Sequence, residues 1–196
     1  VTALAGAMSL KVNGLLGIAM GSSQAGGFLE KKGRILGWLN ELAFAPVDYN
    51  PEAPADEWSG DRGVGALYFS QQAVNKLLPA AGISLPESMG LPERLKEVQK
   101  LMTREDERAT KIYQTIGSYL GYAIAHYADF YDFDDALILG RVTTGRGGDI
   151  VLERAREVLQ KEFPSLATRI TLHVPDEKSR RIGQAVAAAS LPENGK

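Results

Sequence analysis

The chain has 196 residues, 44% of them hydrophobic and 23% charged, with a formal net charge of −2 and no cysteine. That is apolar material for one sizeable core or two small ones, and the near balance of 22 Lys and Arg against 24 Asp and Glu argues against a general nucleic-acid or membrane surface. Without cysteine there are no disulfides, thiol nucleophiles or Cys-ligated zinc sites, and no run reaches the roughly 20 apolar residues of a membrane span, so a cytoplasmic protein is the simplest expectation.

The opening segment VTALAGAMSLKVNG is apolar but has no basic leader before its apolar run and no convincing cleavage site. It starts on Val1, which raises the expectation of a trimmed domain, with removal of an initiator Met as the alternative. Thr2 to Leu10 is Ala-rich and reads as a helix. Leu15 to Met20 is a short apolar run, followed by GSSQAGG, Phe28-Leu29 and Gly33, which predicts strand, glycine-rich turn, strand and turn. Tyr49 to Ser59 is rich in Pro and acidic residues, so 50–60 is expected as an excursion.

Val64, Leu67, Tyr68, Val74 and Leu77 stand near helical spacing, so Asp61 to Leu78 is predicted as a helix. Pro79, Gly82, Pro86, Gly90 and Pro92 then punctuate a loop, with a polar helix over Glu93 to Leu101, making 79–104 a second excursion. Ile112, Ile116, Leu120, Ile124 and Tyr127 give the strongest periodicity, predicting a long helix from Glu105 to about Phe130. The chain closes with a strand at Ala136 to Leu139, a turn at 145–148 and a helix at Asp149 to Phe163. A strand at Arg169 to Val174 and a helix at Lys178 to Ser190 complete it. This alternation predicts α/β architecture with a parallel strand pair joined by a right-handed crossover.

Two glycine-rich turns are the candidate ligand elements. In Gly21-Ser22-Ser23-Gln24-Ala25-Gly26-Gly27, three glycines would permit positive φ and close approach, and two hydroxyls would join the backbone N–H groups around an anion. A plain hairpin turn is the alternative, and Gly27 at the lysine position excludes a Walker loop. Gly140-Arg141-Val142-Thr143-Thr144-Gly145-Arg146-Gly147-Gly148 lies between a strand and a helix whose N-terminus would attract phosphate. Arg141 or Arg146 would add charge-assisted contacts, unless the glycines merely form the bend and Asp149 caps the helix.

His126 and His173 read as structural residues. Asp129, Asp132, Asp134 and Asp135 read as solvated turn chemistry with cation binding as the rival. Tyr113, Tyr119, Tyr122 and Tyr127 read as packing rather than a binding surface.

Several pieces, in order along most of the chain, resemble one family. GSSQAGG followed by FLEKKGRI is similar to a phosphate-contacting GTG-type hairpin. Asn40-Glu41-Leu42-Ala43-Phe44 with Pro46-Val47-Asp48 is similar to a Gly-Glu-x-Gly-His segment. Gly60 to Leu67 resembles a Cys-Gly-x-x-Gly-Cys-Leu-Glu element. Tyr119 to Ala125, Ala136 to Gly140 and Gly183 to Ala189 resemble the long helix, the strand before the adenosine-side glycines, and the closing helix. The family is ROK (repressor, open reading frame, kinase), bacterial sugar kinases and regulators.

The resemblance implies a ribonuclease-H-like, actin-like ATPase lobe with a mixed sheet flanked by helices, here one nucleotide-facing lobe over 1–196. It implies that Gly21, Ser22 and Ser23 approach ATP phosphates and that Glu41 faces sugar hydroxyls. Gly140, Arg141, Gly145, Gly147 and Gly148 would border the adenosine. ATP and Mg²⁺ are the implied ligands, used together with an N-terminal lobe that supplies the catalytic Asp and its phosphate loop. A homodimer is a further expected partnership. Where the family has a zinc-binding His the chain has Phe44, and where it has a sugar-contacting Glu the chain has Tyr68, so no zinc is expected. Arg141 also interrupts the glycine run. These departures leave three readings open: a sugar kinase lobe, a non-catalytic ligand sensor or regulator, and a dimerisation scaffold.

Overall fold

The computed structural model describes residues 10–175. The helices expected at Thr2 to Leu10 and Lys178 to Ser190 lie outside that range or at its edge.

A mixed sheet of four strands organises the molecule, in the order β2-β1-β3-β4. β1 (Leu15–Met20) turns back into β2 (Gln24–Leu29), antiparallel, with Met20 opposite Gln24. On its other side β1 runs parallel to β3 (Asp135–Leu139), Leu15 facing Asp135 and Ala19 facing Leu139. β3 in turn pairs in parallel with the short β4 (Thr171–His173). Both faces of β1 and β3 are apolar, which is why the strands read as continuous hydrophobic runs rather than alternating ones. Leu16, Ile18, Met20, Ala136 and Ile138 enter the main core, while Leu15, Leu29 and Leu137 form a smaller cluster on the other face.

The helices are α1 (Gln71–Leu77), α2 (Leu91–Met102), α3 (Glu107–Tyr127), α4 (Arg146–Glu162) and α5 (Pro164–Arg169). The helix predicted over Asp61 to Leu78 is therefore corrected to seven residues preceded by a single 3-10 turn at Gly65–Leu67. Gly63, with φ +66°, interrupts it. Pro46 forms an antiparallel bridge with Val64, and the Ser70 side chain accepts a hydrogen bond from Gln72 N–H to cap the real helix. Residues 79–104, expected as an excursion, carry α2, which buries Leu95, Val98 and Met102 in the main core.

The long helix α3 is capped at Asp106, whose carboxylate accepts from Arg108 N–H at 2.9 Å and pairs with the Arg108 guanidinium at 2.7 Å. The Arg108 side chain is the main reason that the Asp106 carboxyl falls to about 2. A depressed folded-state value contributes stability that is fully present above the unfolded carboxylate range. That contribution is lost as pH falls toward about 2. Urea melts followed downward from pH ~5 should show Asp106→Asn losing less stability on acidification than the unmodified chain, because the variant has no such proton to take up. Equal acid sensitivity would contradict the capping role.

Candidate functional site

The sheet decides which turns meet. Because β1 and β3 are parallel, their carboxyl ends lie side by side, and the bend after each strand opens on the same edge. Crevices beyond the carboxyl ends of parallel strands are where open α/β sheets take their ligands. The first bend is Gly21-Ser22-Ser23; the second begins at Gly140. They are held together by backbone: Val142 N–H donates to Met20 O at 3.2 Å. A Cβ on Gly140 would lie 2.4 Å from that same oxygen.

The first bend is tighter than its sequence suggests. β2 already starts at Gln24, so Gly26 and Gly27 belong to the strand, and none of Gly21, Gly26 and Gly27 has positive φ. The positive-φ role expected for them is thus corrected. Gly26 is small because a Cβ there would lie 2.7 Å from Asn40 O and 2.7 Å from Leu42 Cγ. Gly21 N–H donates to Ser23 O at 2.9 Å, closing the bend, and Ser22 and Ser23 are exposed at its tip. Gln71 N–H, at the start of α1, donates to Gly21 O at 2.9 Å and fixes the bend from below.

Glu41 belongs to the same neighbourhood. It is exposed and leads into a 3-10 turn at Leu42–Phe44 that buries Leu42 and Ala43. Gln24, buried and next to Ser23, turns its amide nitrogen to Leu42 O (3.0 Å) and Gly65 O (3.2 Å), the orientation that satisfies both carbonyls. One side chain thereby ties the hairpin to the Glu41 segment and to the Gly65 turn.

In the second bend, Gly140 has φ +109° and Gly145 has φ +71°. Gly145 is the residue before α4, so the helix starts three residues earlier than predicted and Asp149 is not its cap. A Cβ on Gly145 would meet open space. Gly147 and Gly148 are buried, where a Cβ would lie 2.5 Å from the Tyr113 ring and 2.2 Å from Thr143 O respectively, so packing on α3 accounts for the first and the close return of the bend's own backbone for the second. Arg141 is exposed, and its carbonyl accepts from Gln99 Nε2 at 2.9 Å. Arg146 is turned along α4 toward Glu153 (3.0 Å) and Asp149 (3.9 Å).

Along α4 from Arg146 to Glu157 runs a cavity of about 620 Å³, whose wall is completed by Met102, Thr103, Glu105 and Thr110 and not by the bends at Gly21–Ser23 and Gly140. This is within the size range of small-molecule sites. The α2–α3 connection supplies much of its wall, and nothing in the sequence pointed to it. A positive φ of 57° at Glu105 marks the bend, a backbone feature that Glu does not advertise.

The remaining sequence candidates are accounted for by packing and pairing. Phe44, where the family's His would stand, lies against Trp58 with ring centroids 5.3 Å apart. Tyr68, at the expected Glu position, donates its hydroxyl to Asp48 Oδ2 at 2.6 Å, and Tyr119 reaches the same oxygen at 3.3 Å. Tyr113 and Tyr127 are buried; Tyr122 is half exposed. Asp132 and Asp134 pair with Lys31 and Arg169 at the opposite end of the sheet from the bends. His173 Nε2 lies 2.6 Å from Asp135 Oδ1, and His126 packs edge-on to Tyr49 and Phe130. Among the described residues no three His, Asp or Glu side chains converge as a metal site, and no helix is long and apolar enough to cross a membrane.

A mixed sheet of four strands flanked by helices is a fold that this chain shares with ROK family proteins. Solved structures bear this out. The chain superposes on a ROK family transcriptional regulator, homologous to the E. coli MLC protein, at TM-score 0.71 and 20% identity, covering 94% of this chain and 50% of that one. It matches a ROK hexokinase from Thermus thermophilus at TM-score 0.68 and 19% identity, covering 94% and 61%. It matches a ROK family glucokinase from Streptomyces griseus, in complex with glucose and AMPPNP, at 0.66 and 15%, covering 95% and 65%. At such identities the likeness is one of fold, and the chain spans between half and two thirds of the length of each. No family sequence model matches the chain, and no curated protein sequence does.

Proposed function

We propose that the chain is the nucleotide-facing lobe of a ROK-like sugar kinase, contributing phosphate and adenosine contacts to phosphoryl transfer from ATP to a sugar hydroxyl. The observation that carries this reading is the meeting of Gly21–Ser23 with Gly140 at the carboxyl ends of two paired parallel strands, with Glu41 tied to the same hairpin through Gln24. Ser22 and Ser23 offer hydroxyl donors to phosphate oxygens. Gly145, where a Cβ would meet open space, leaves room for the nucleoside beside the α4 N-terminus. Glu41 accepts hydrogen bonds from the sugar.

The bends present N–H and O–H donors, the Ser22 and Ser23 hydroxyls among them, and contain no carboxylate of their own. This set of groups fits anionic oxygens rather than a cation, so Mg²⁺ reaches the lobe with the triphosphate. In this reading the base that takes the sugar hydroxyl proton is the Asp of the N-terminal lobe that the resemblance implies.

The test is thermal unfolding with AMPPNP and Mg²⁺. A ligand at about ten times its Kd adds roughly 1.4 kcal/mol, which for a chain of this size raises Tm by about 3–5 °C. An unchanged Tm at millimolar nucleotide rejects the reading.

A second reading has its own support. Tyr68 spends its hydroxyl on Asp48 and Phe44 packs on Trp58, so the position the resemblance gives to a sugar-contacting Glu and the one it gives to a zinc-binding His are both turned to internal contacts. This favours a ligand-sensing relative that binds without transferring phosphate. A nucleotide-dependent Tm shift, with no phosphorylated sugar formed by the complete protein, would select it.

A further inference from the structure

On the outer side of α3, Lys111, Gln114, Thr115 and Ser118 follow one another at helical spacing and line a groove of about 590 Å³, within the size range of small-molecule sites. The turn after α1 forms one wall, where Leu77, Ala80 and Ala81 add to the apolar surface of Ile112; Arg154 and Glu157 of α4 contribute the other. None of the lining residues belongs to either bend. The Thr115 and Ser118 hydroxyls donate to Lys111 O at 2.8 Å and Gln114 O at 3.1 Å, so neither has a proton left for a ligand. The open donors are Lys111, Arg154 and the Gln114 amide. Lys111 Nζ makes no hydrogen bond or ion pair among the described residues. Arg154 Nε donates to Ser118 Oγ at 2.9 Å and Nη1 pairs with Glu157 at 2.8 Å, which leaves Nη2 open. Two cations thus face one carboxylate. The cavity along α4 has the opposite balance, Glu105, Glu153 and Glu157 against Arg146 and Arg154, and Arg146 is already paired with Glu153 at 3.0 Å. Two neighbouring cavities of similar size therefore select opposite charges, and an anion is directed to the groove on α3.

We propose that this groove binds a small organic monocarboxylate, its hydrocarbon part against Leu77, Ala80, Ala81 and Ile112 and its carboxylate on Lys111 and the open edge of Arg154. The class follows from the lining. One positive charge in excess suits a monoanion, whereas a dianion would bring uncompensated charge beside Glu157. The guanidinium edge matches a planar carboxylate. The apolar wall favours a ligand with a hydrocarbon part over a bare ion, because covering it takes apolar surface out of water. Leu77 ends the helix whose first residue, Gln71, holds the Gly21 carbonyl through its N–H, so the bound carboxylate rests against the element that supports the first bend.

The experiment titrates hexanoate into the isotope-labelled 196-residue chain and follows its amide resonances by NMR, with hexanol, hexylamine and inorganic phosphate as parallel probes. Hexanoate should give saturable shifts confined to residues 77–82, 111–118 and 154–157, with a Kd in the millimolar range. Hexanol, which lacks the charge, and phosphate, which lacks the hydrocarbon, should each bind about ten times more weakly, and hexylamine should leave these resonances unmoved. Lys111→Gln alters an exposed side chain and should raise the hexanoate Kd about tenfold with the rest of the spectrum unchanged. Shifts that do not saturate, or that fall elsewhere, overturn the proposal. Hexanol binding as tightly as hexanoate, or an unchanged Kd in Lys111→Gln, overturns the carboxylate contact, and phosphate binding as tightly overturns the apolar one. No probe contains a nucleotide, so the outcome is independent of the AMPPNP test.

Discussion

Gly140→Ala is expected to cost about 4 kcal/mol and to lower Tm by roughly 10 °C, the largest effect of any single methyl group added at the site. Two penalties combine. At φ +109° an L side chain is strained wherever it points, and the new Cβ would meet Met20 O, C and N at 2.4, 2.7 and 2.7 Å. Those atoms are backbone of β1, so relief requires separating β1 from β3 at their carboxyl ends. Gly145→Ala provides the contrast. Its φ of +71° is also unfavourable, but a Cβ there meets nothing within 4 Å, so only the conformational cost of about 1–2 kcal/mol remains. Guanidinium melts of the two variants should differ in midpoint accordingly. Equal midpoints would mean that the strands do not approach as closely as described.

Gly121→Val should be the next most damaging, at about 3 kcal/mol or more. Gly117 and Gly121 stand one turn apart on α3 and allow it to lie directly against α4. A Cβ on Gly121 would come 2.6 Å from Val158 Cβ and 2.9 Å from Ala155 O, and one on Gly117 would come 2.6 Å from Val151 O. Valine adds two further methyl groups to that contact, forcing the helices apart along a seam that also seats Gly147 on Tyr113. The same melts should show Gly37→Ala as neutral or slightly stabilising, since a Cβ there has no neighbour within 4 Å and φ is ordinary.

The parts of this fold legible in the sequence are those whose own periodicity matches their burial. Ile112, Ile116, Leu120 and Ile124 are all buried on one side of α3, and Leu15 to Met20 and Ala136 to Leu139 are buried strands that read as short apolar runs. The segment after Asp61 misled for a physical reason. Val64 and Leu67 are buried at helix-like spacing, but they are held there by a bridge to Pro46 and a 3-10 turn. The true signals, Gly63 with its absent Cβ against Asp48 O and Ser70 as a cap, were present and were outweighed by the apolar pattern.

For the candidate site, the small residues of both bends announced themselves, because tight approach leaves a mark on sequence. The residues that join the bends did not. Gln24 and Gln99 act through long-range contacts to Leu42, Gly65 and Arg141. Met102, Thr103, Glu105 and Thr110 line a cavity only because α2, α3 and α4 converge there. None of these has a local pattern from which to read it.

The pairing of Leu15 with Asp135 and of Ala19 with Leu139 also has a kinetic meaning. β1 and its hairpin lie close together along the chain, yet β1's parallel neighbour arrives only after α1, α2 and α3 have passed. Closing so large a loop costs chain entropy before any contact repays it, and such topologies fold slowly. During refolding, the helices should therefore acquire their circular dichroism before the crevice exists, and any capacity to hold a ligand should emerge with the last and slowest phase.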